Sequence, residues 1–137
     1  MNNMNNIDNT EIKTTNAENN TVEEVQVSAP AINFDDFLKV KMAVGKIISA
    51  EKLEKSPKLL KLSVDFGEAN PRQVLSGIAK TFAPEDLIGK SFAFVINLEP
   101  RQIMGMESQA MILAASDEQG LVLFSPTRDI ASGSNLG

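Results

Sequence analysis

Beyond position 32 the apolar residues recur mainly at every second position, a period that builds half-buried strands and not amphipathic helices. The clearest case is Leu60, Leu62, Val64 and Phe66, with polar or small residues between them, which predicts one strand with a single buried face. Before it, residues 40–52 predict a first strand with Val40, Met42 and Val44 on one face, bent at a bulge by Gly45. Ser56-Pro57 is expected to supply the turn between these two strands. A turn over residues 67–71 leads into a third strand, 72–78. Pro84-Glu85-Asp86-Leu87 then predicts one short helical turn closed by Gly89. Three more strands are expected at 91–97, 110–116 and 121–125, the last two joined by a turn over 117–120. Ahead of them all, Asn33 before Phe-Asp-Asp-Phe predicts a capped single helical turn with its acids at the favourable end of the helix dipole.

Short strands at close spacing with one helical insert predict an all-β fold, a small closed barrel of the OB Greek-key type with short helical turns. Closure removes the open sheet edges that six short strands would otherwise expose. Residues 1–32 follow a different rule. They are rich in Asn and Thr, hold no aromatic residue and sustain no period, so they are expected to form a disordered tail or linker preceding one folded domain over 33–137.

Composition then narrows the chemistry. With no Cys and no His, thiolate or imidazole metal sites, Cys nucleophiles and Ser-His-acid relays are excluded. No catalytic residue, metal site or cofactor is expected. The acid pairs Asp35-Asp36, Glu85-Asp86 and Asp117-Glu118 fall at helix starts or turns, where capping and solvation explain them. No basic start with an apolar run, and no apolar stretch long enough to span a bilayer, is seen, so the chain reads as cytoplasmic with no membrane partner.

The net charge of −5 first argues against an anionic partner. Most of it belongs to the tail, which carries five acids against Lys13 alone, leaving thirteen acids against twelve bases in the remainder. Lys39, Lys41, Lys46, Lys52, Lys55, Lys58 and Lys61 face only Glu51 and Glu54, a local basic stripe. The run NLEPRQIMGMESQAM at 97–111 adds Pro100, Arg101, Gln102, Ser108 and Met111 around a loop between two apolar strands. Polar readers beside flat apolar contacts, without acid or nucleophile chemistry, fit a surface that holds an extended polymer.

The runs INFDDFLKV, VGKI, LLKLSVDFGE, RQVLSGIAKTFAPEDLIGKSF, NLEPRQIMGMES and MILAAS, in this order over residues 32–135, resemble the tRNA-binding domain appended to bacterial methionyl-tRNA synthetases, which also occurs as freestanding tRNA-binding proteins. The resemblance implies an OB fold, a homodimer, tRNA as the partner recognised by shape, and no chemistry of the domain's own. It places RNA-contacting roles on Lys58, Asn97, Arg101, Ser108 and Met111, with Lys61 and Gln102 beside them. Lys58 and Arg101 would neutralise phosphates, Asn97 and Ser108 would bond sugar or base edges, and Met111 would lie under a base. The chain departs from the pattern where Gln102 replaces a usual Lys, Ala43 a usual Arg, Lys41 a usual acid, Ala110 a usual Gly, and Pro57 a usual acid.

Each residue also has a plainer reading. Asn97 fits turn chemistry at a strand end, Arg101 and Lys58 fit solvated surface charges, Ser108 fits a strand start, and Met111 fits the core beside Leu113. Two other functions stay open: a chaperone-like protein-interaction module of the same fold, and an enzyme. Apolar Ile112, Leu121, Leu123 and Phe124, with Phe34 and Phe37, are expected to leave surface that a dimer would cover.

Overall fold

The computed structural model describes residues 29–137, so the expected tail falls largely outside the described residues. Residues Leu38–Gly137 form one compact unit, and the helical turn α1 (Phe34–Phe37) lies in the unit that precedes it. The predicted cap is present: Asn33 Oδ1 accepts the Asp36 N–H at 2.8 Å.

Nine strands make up the barrel unit: β1 (Met42–Leu53), β2 (Ser56–Asp65), β3 (Arg72–Ser76), β4 (Ser91–Val95), β5 (Arg101–Ile103), β6 (Met106–Ser108), β7 (Met111–Ile112), β8 (Ala114–Asp117) and β9 (Gly120–Leu123). Five of them form one antiparallel sheet in the order β3-β2-β1-β4-β7. The pairs β5-β6 and β8-β9 are separate hairpins. A 3-10 turn, Pro84–Asp86, sits between β3 and β4, and Gly89 beyond it has φ +84°, the left-handed geometry its position was expected to need.

The strict alternation in β2 does what its period requires. Leu60, Leu62 and Val64 are fully buried, with Phe66 just beyond, and they meet Ile47, Val74, Leu87 and Phe94 in one core. Phe66 stands edge-on to Phe94, centroids 5.1 Å apart.

β1 corrects two expectations. The core-facing residues are Ala43, Gly45 and Ile47, one position out of step with the expected Val40, Met42 and Val44. Gly45 pairs regularly with Phe92 of β4, and the register shifts instead between Ile47 and Ser49 and again between Lys52 and Leu53. Glycine is required at 45 for space: a Cβ there would lie 2.5 Å from Phe66 Cε1 and 2.6 Å from Val64 Cγ1.

Other boundaries also move. Ser56 and Pro57 begin β2, and Glu54-Lys55 forms the turn. β3 ends at Ser76, β4 at Val95 and β9 at Leu123, each short of its expected limit. The expected strand 110–116 is broken at Leu113 into β7 and β8. Ile112 belongs to the core, and Leu121 and Leu123 pack against it, so of the apolar C-terminal group it is Phe124, at 49 % exposure, that remains outside.

One pairing had no sequence signal. Residues 133–136 run antiparallel to the first half of β1: Ala43 bridges Asn135, Val44 N–H donates to Ser134 O, and Gly133 N–H donates to Val44 O at 2.7 Å. Gly133 has φ +89° and lies against the Phe66 carbonyl, which leaves no room for a Cβ.

Candidate nucleic-acid interface

The loop expected over 97–111 contains the hairpin β5-β6, registered Arg101↔Ser108, Gln102↔Glu107 and Ile103↔Met106. Its two-residue turn, Met104-Gly105, has positive φ at both positions (53° and 79°), the geometry that matches the strands' right-handed twist.

This hairpin is joined to β3 by side chains more than by a ladder. Gln109 N–H donates to Gln73 O at 2.8 Å, and Gln73 N–H returns a bond to Gln109 Oε1 at 2.9 Å. Gln73 Nε2 donates to Glu107 O at 2.9 Å. Leu75 N–H donates to Ser108 Oγ at 3.0 Å, and the Ser108 hydroxyl faces Ala110 O at 3.2 Å. These bonds bring the last sheet edge against β6 and complete a nearly closed barrel.

Arg72, at the start of β3, reaches further. Its Nε and Nη2 engage Glu68 Oε1 and Oε2 at 2.9 and 2.7 Å, and its Nη1 donates to Ile96 O at 2.6 Å and Gln109 O at 3.2 Å. The guanidinium carbon lies 5.5 Å from the centre of the Phe66 ring. Its hydrogen bond to Arg72, reinforced by charge attraction and opposed by burial, holds the Glu68 carboxyl below the usual range, and the same pairing raises Arg72.

A groove of about 380 Å³ opens beside the hairpin. Its lining includes Leu59, Leu98, Glu99, Arg101, Ser108 and Met111. The expected residues are therefore partly gathered and partly reassigned. Arg101 is exposed on the groove, and Met111 is 45 % exposed there and so lies outside the core. Lys58 is exposed and adjoins groove-lining Leu59, with its carbonyl accepting the Ala79 N–H at 3.0 Å. Gln102 is exposed on the hairpin opposite Glu107. Lys61 faces outward as its alternation requires, but its Nζ lies 3.2 Å from Glu51 across the β1-β2 pair, which offsets its charge.

Two residues are committed to the protein itself. Ser108 is 7 % exposed, and its hydroxyl is used in closure. Asn97 clamps the chain entering β1: Oδ1 accepts the Lys41 N–H at 2.8 Å, and Nδ2 donates to Lys39 O at 2.6 Å. Both partners lie more than fifty residues away in the chain, so this is a tertiary clamp and not the local turn chemistry of its plainer reading. Arg72 and Gln73 were not among the expected site residues, and their only sequence signal was the pair of polar side chains opening a strand.

Among the described residues no group of acids could hold a metal ion, and no helix is long and apolar enough to cross a membrane. A larger cleft of about 1220 Å³ shares no lining residue with the groove; its cations Lys46, Lys90 and Arg128 are interleaved with Asp86 and Asp129.

Residues 42–135 match the family described as "Putative tRNA binding domain". The chain is 44% identical over 114 residues to the methionine–tRNA ligase of Methanocella arvoryzae, covering 83% of this chain and 16% of that protein. It is 48% identical over 103 residues to the methionine–tRNA ligase of Helicobacter pylori, covering 75% and 16%. It thus spans about a sixth of the length of these relatives. Among solved structures it resembles a MetRS-related protein from Pyrococcus horikoshii, with TM-score 0.73 and 38% identity over 80% of this chain and all of that one. It also resembles the chaperone CsaA from Bacillus anthracis, with TM-score 0.71 and 29% identity over 79% of this chain and all of that one.

Proposed function

We propose, for a chain that belongs to the family described as "Putative tRNA binding domain", that it is a non-catalytic module that binds tRNA by shape and backbone contacts and serves as the C-terminal appendix of a methionyl-tRNA synthetase in the cytoplasm. The observation that carries this reading is the groove, where Arg101 and Met111 face one opening, with exposed Lys58 next along the strand to groove-lining Leu59. Among the described residues neither Lys58 nor Arg101 is held in an ion pair, so both charges are available to phosphates. Met111 and Leu98 offer flat apolar contact to a base or ribose, and Gln102 offers a neutral donor and acceptor beside them. Asn97 and Ser108 act from beneath, fixing the strand ends that carry these groups. Tethering such a module to a synthetase raises the local tRNA concentration at the catalytic body without any chemistry of its own.

Filter binding or fluorescence anisotropy with tRNA tests this. The Lys58→Ala/Arg101→Ala variant removes only exposed side chains, so it should keep its thermal midpoint while the log–log salt slope falls by about 1–2 units. Unchanged affinity and slope would refute the assignment. A homodimer is part of the same proposal, supported by exposed Val122 (55 %) and Phe124 on the C-terminal hairpin side. Sedimentation at micromolar concentration decides it, and a clean monomer refutes it. The likeness to CsaA supports a second reading, a module that holds unfolded protein. Capture of a reduced, unfolded client that tRNA cannot displace would favour that reading over the first.

A further inference from the structure

We infer that Arg72 is the positioning residue of the RNA-binding hairpin: its guanidinium joins the two feet of the 97–108 segment to β3 and so sets where Arg101 stands over the groove. The inference rests on the reading of that groove as the tRNA site.

The geometry is specific. Ile96 immediately precedes the segment and Gln109 immediately follows it, and Nη1 of Arg72 bonds both carbonyls, at 2.6 and 3.2 Å. One nitrogen therefore fixes the separation of the two feet. Glu68 sets the plane of the guanidinium by engaging Nε and Nη2 together, and Phe66, itself locked edge-on against Phe94, supports the group from the core side. Of the five N–H groups of arginine these bonds leave Nη2 one uncommitted, so Arg72 is poorly placed to serve a phosphate directly. The hairpin has no other ladder to the main sheet. It pairs only with itself, and the other bonds that join it to the barrel are those between Gln73 and Leu75 of β3 and Glu107, Ser108 and Gln109. Lysine at 72 would keep the charge and lose the fork, since a single ammonium cannot hold a planar carboxylate and two diverging carbonyls at once.

Two variants of the full chain separate positioning from charge. Arg72→Lys should make the amides of residues 101–108 exchange with deuterium about tenfold faster while those of the β1-β2 ladder keep their rates, and tRNA affinity should fall about tenfold with the salt slope retained. Glu68→Ala is the milder variant and gives the decisive sign. Removing an acid makes the protein less negative and by itself favours a polyanion, whereas loss of the group that orients Arg72 should weaken tRNA binding about threefold. Tighter binding by Glu68→Ala, or hairpin exchange unmoved in Arg72→Lys, overturns the inference. A parent protein that binds no tRNA overturns the reading of the groove, while the exchange measurement still decides whether Arg72 holds the hairpin.

Discussion

Ser108→Ala separates two roles that one hydroxyl could have. Leu75 is 6 % exposed, and its N–H donates to Ser108 Oγ at 3.0 Å; alanine removes that acceptor and leaves a buried donor without it, which costs about 1–3 kcal/mol. The second bond, to Ala110 O at 3.2 Å, is longer and adds roughly 0.5 kcal/mol. Ser108 also lines the groove, so water can reach part of the gap and draw the total toward the lower half of that range. A loss of about 2 kcal/mol corresponds to a fall of about 10 °C in thermal midpoint for a domain of this size. Urea titration followed by circular dichroism measures it, with an unchanged m-value marking a stability effect proper. A variant within about 0.5 kcal/mol of the parent that nevertheless loses tRNA affinity would refute the reasoning, because the hydroxyl would then serve the ligand and not the barrel.

Gly45→Ala should destabilise by about 1–3 kcal/mol in the same assay, because the new methyl meets Phe66 and Val64, both buried and neither able to withdraw. Met104→Asn should stabilise by up to about 1 kcal/mol, since Met104 holds φ 53° and asparagine tolerates that region better. The check is a rise in midpoint with tRNA affinity unchanged. The Glu68 carboxyl lies below its usual range because Arg72 bonds its charged form, so its contribution is present above that range and is lost as pH falls through its folded value. Parent and Glu68→Gln should therefore differ at neutral pH and converge as pH drops below about 4, a trend that paired thermal melts would show. The difference should be small, for the pair is partly solvent-exposed and screened.

What could be read in advance follows from how each residue uses its side chain. β2 was legible because one of its faces is wholly buried and the other is not, so its residues alternate in kind. β1 was misread by one position because Val44, on the opposite face from Ala43 and Ile47, is buried too; burial does not alternate over Ala43 to Gly45, and the larger apolar residues draw the eye from the small ones that face the core. The β5-β6 hairpin was half visible. Its turn has glycine at the second position but methionine where asparagine would have announced it. Exposure of Lys58 and Arg101 followed the sequence pattern; that of Met111 went against its alternation with Leu113, and the commitment of Asn97 and Ser108 to distant backbone partners did not show, since an amide or hydroxyl looks the same whether it serves a ligand or its own chain. The stretch 133–136 carried no strand signal because it joins β1 through main-chain groups alone.

That last pairing also has a temporal side. During synthesis the first half of β1 emerges early, while the residues that satisfy its outer edge emerge nearly the full length of the domain later. Until then a row of donors and acceptors beside Val44 stands open to any extended chain nearby. A cut before Ser132 would remove the seam that this domain shuts last, and exchange of the 133–136 segment between two copies is the misassembly such a seam invites.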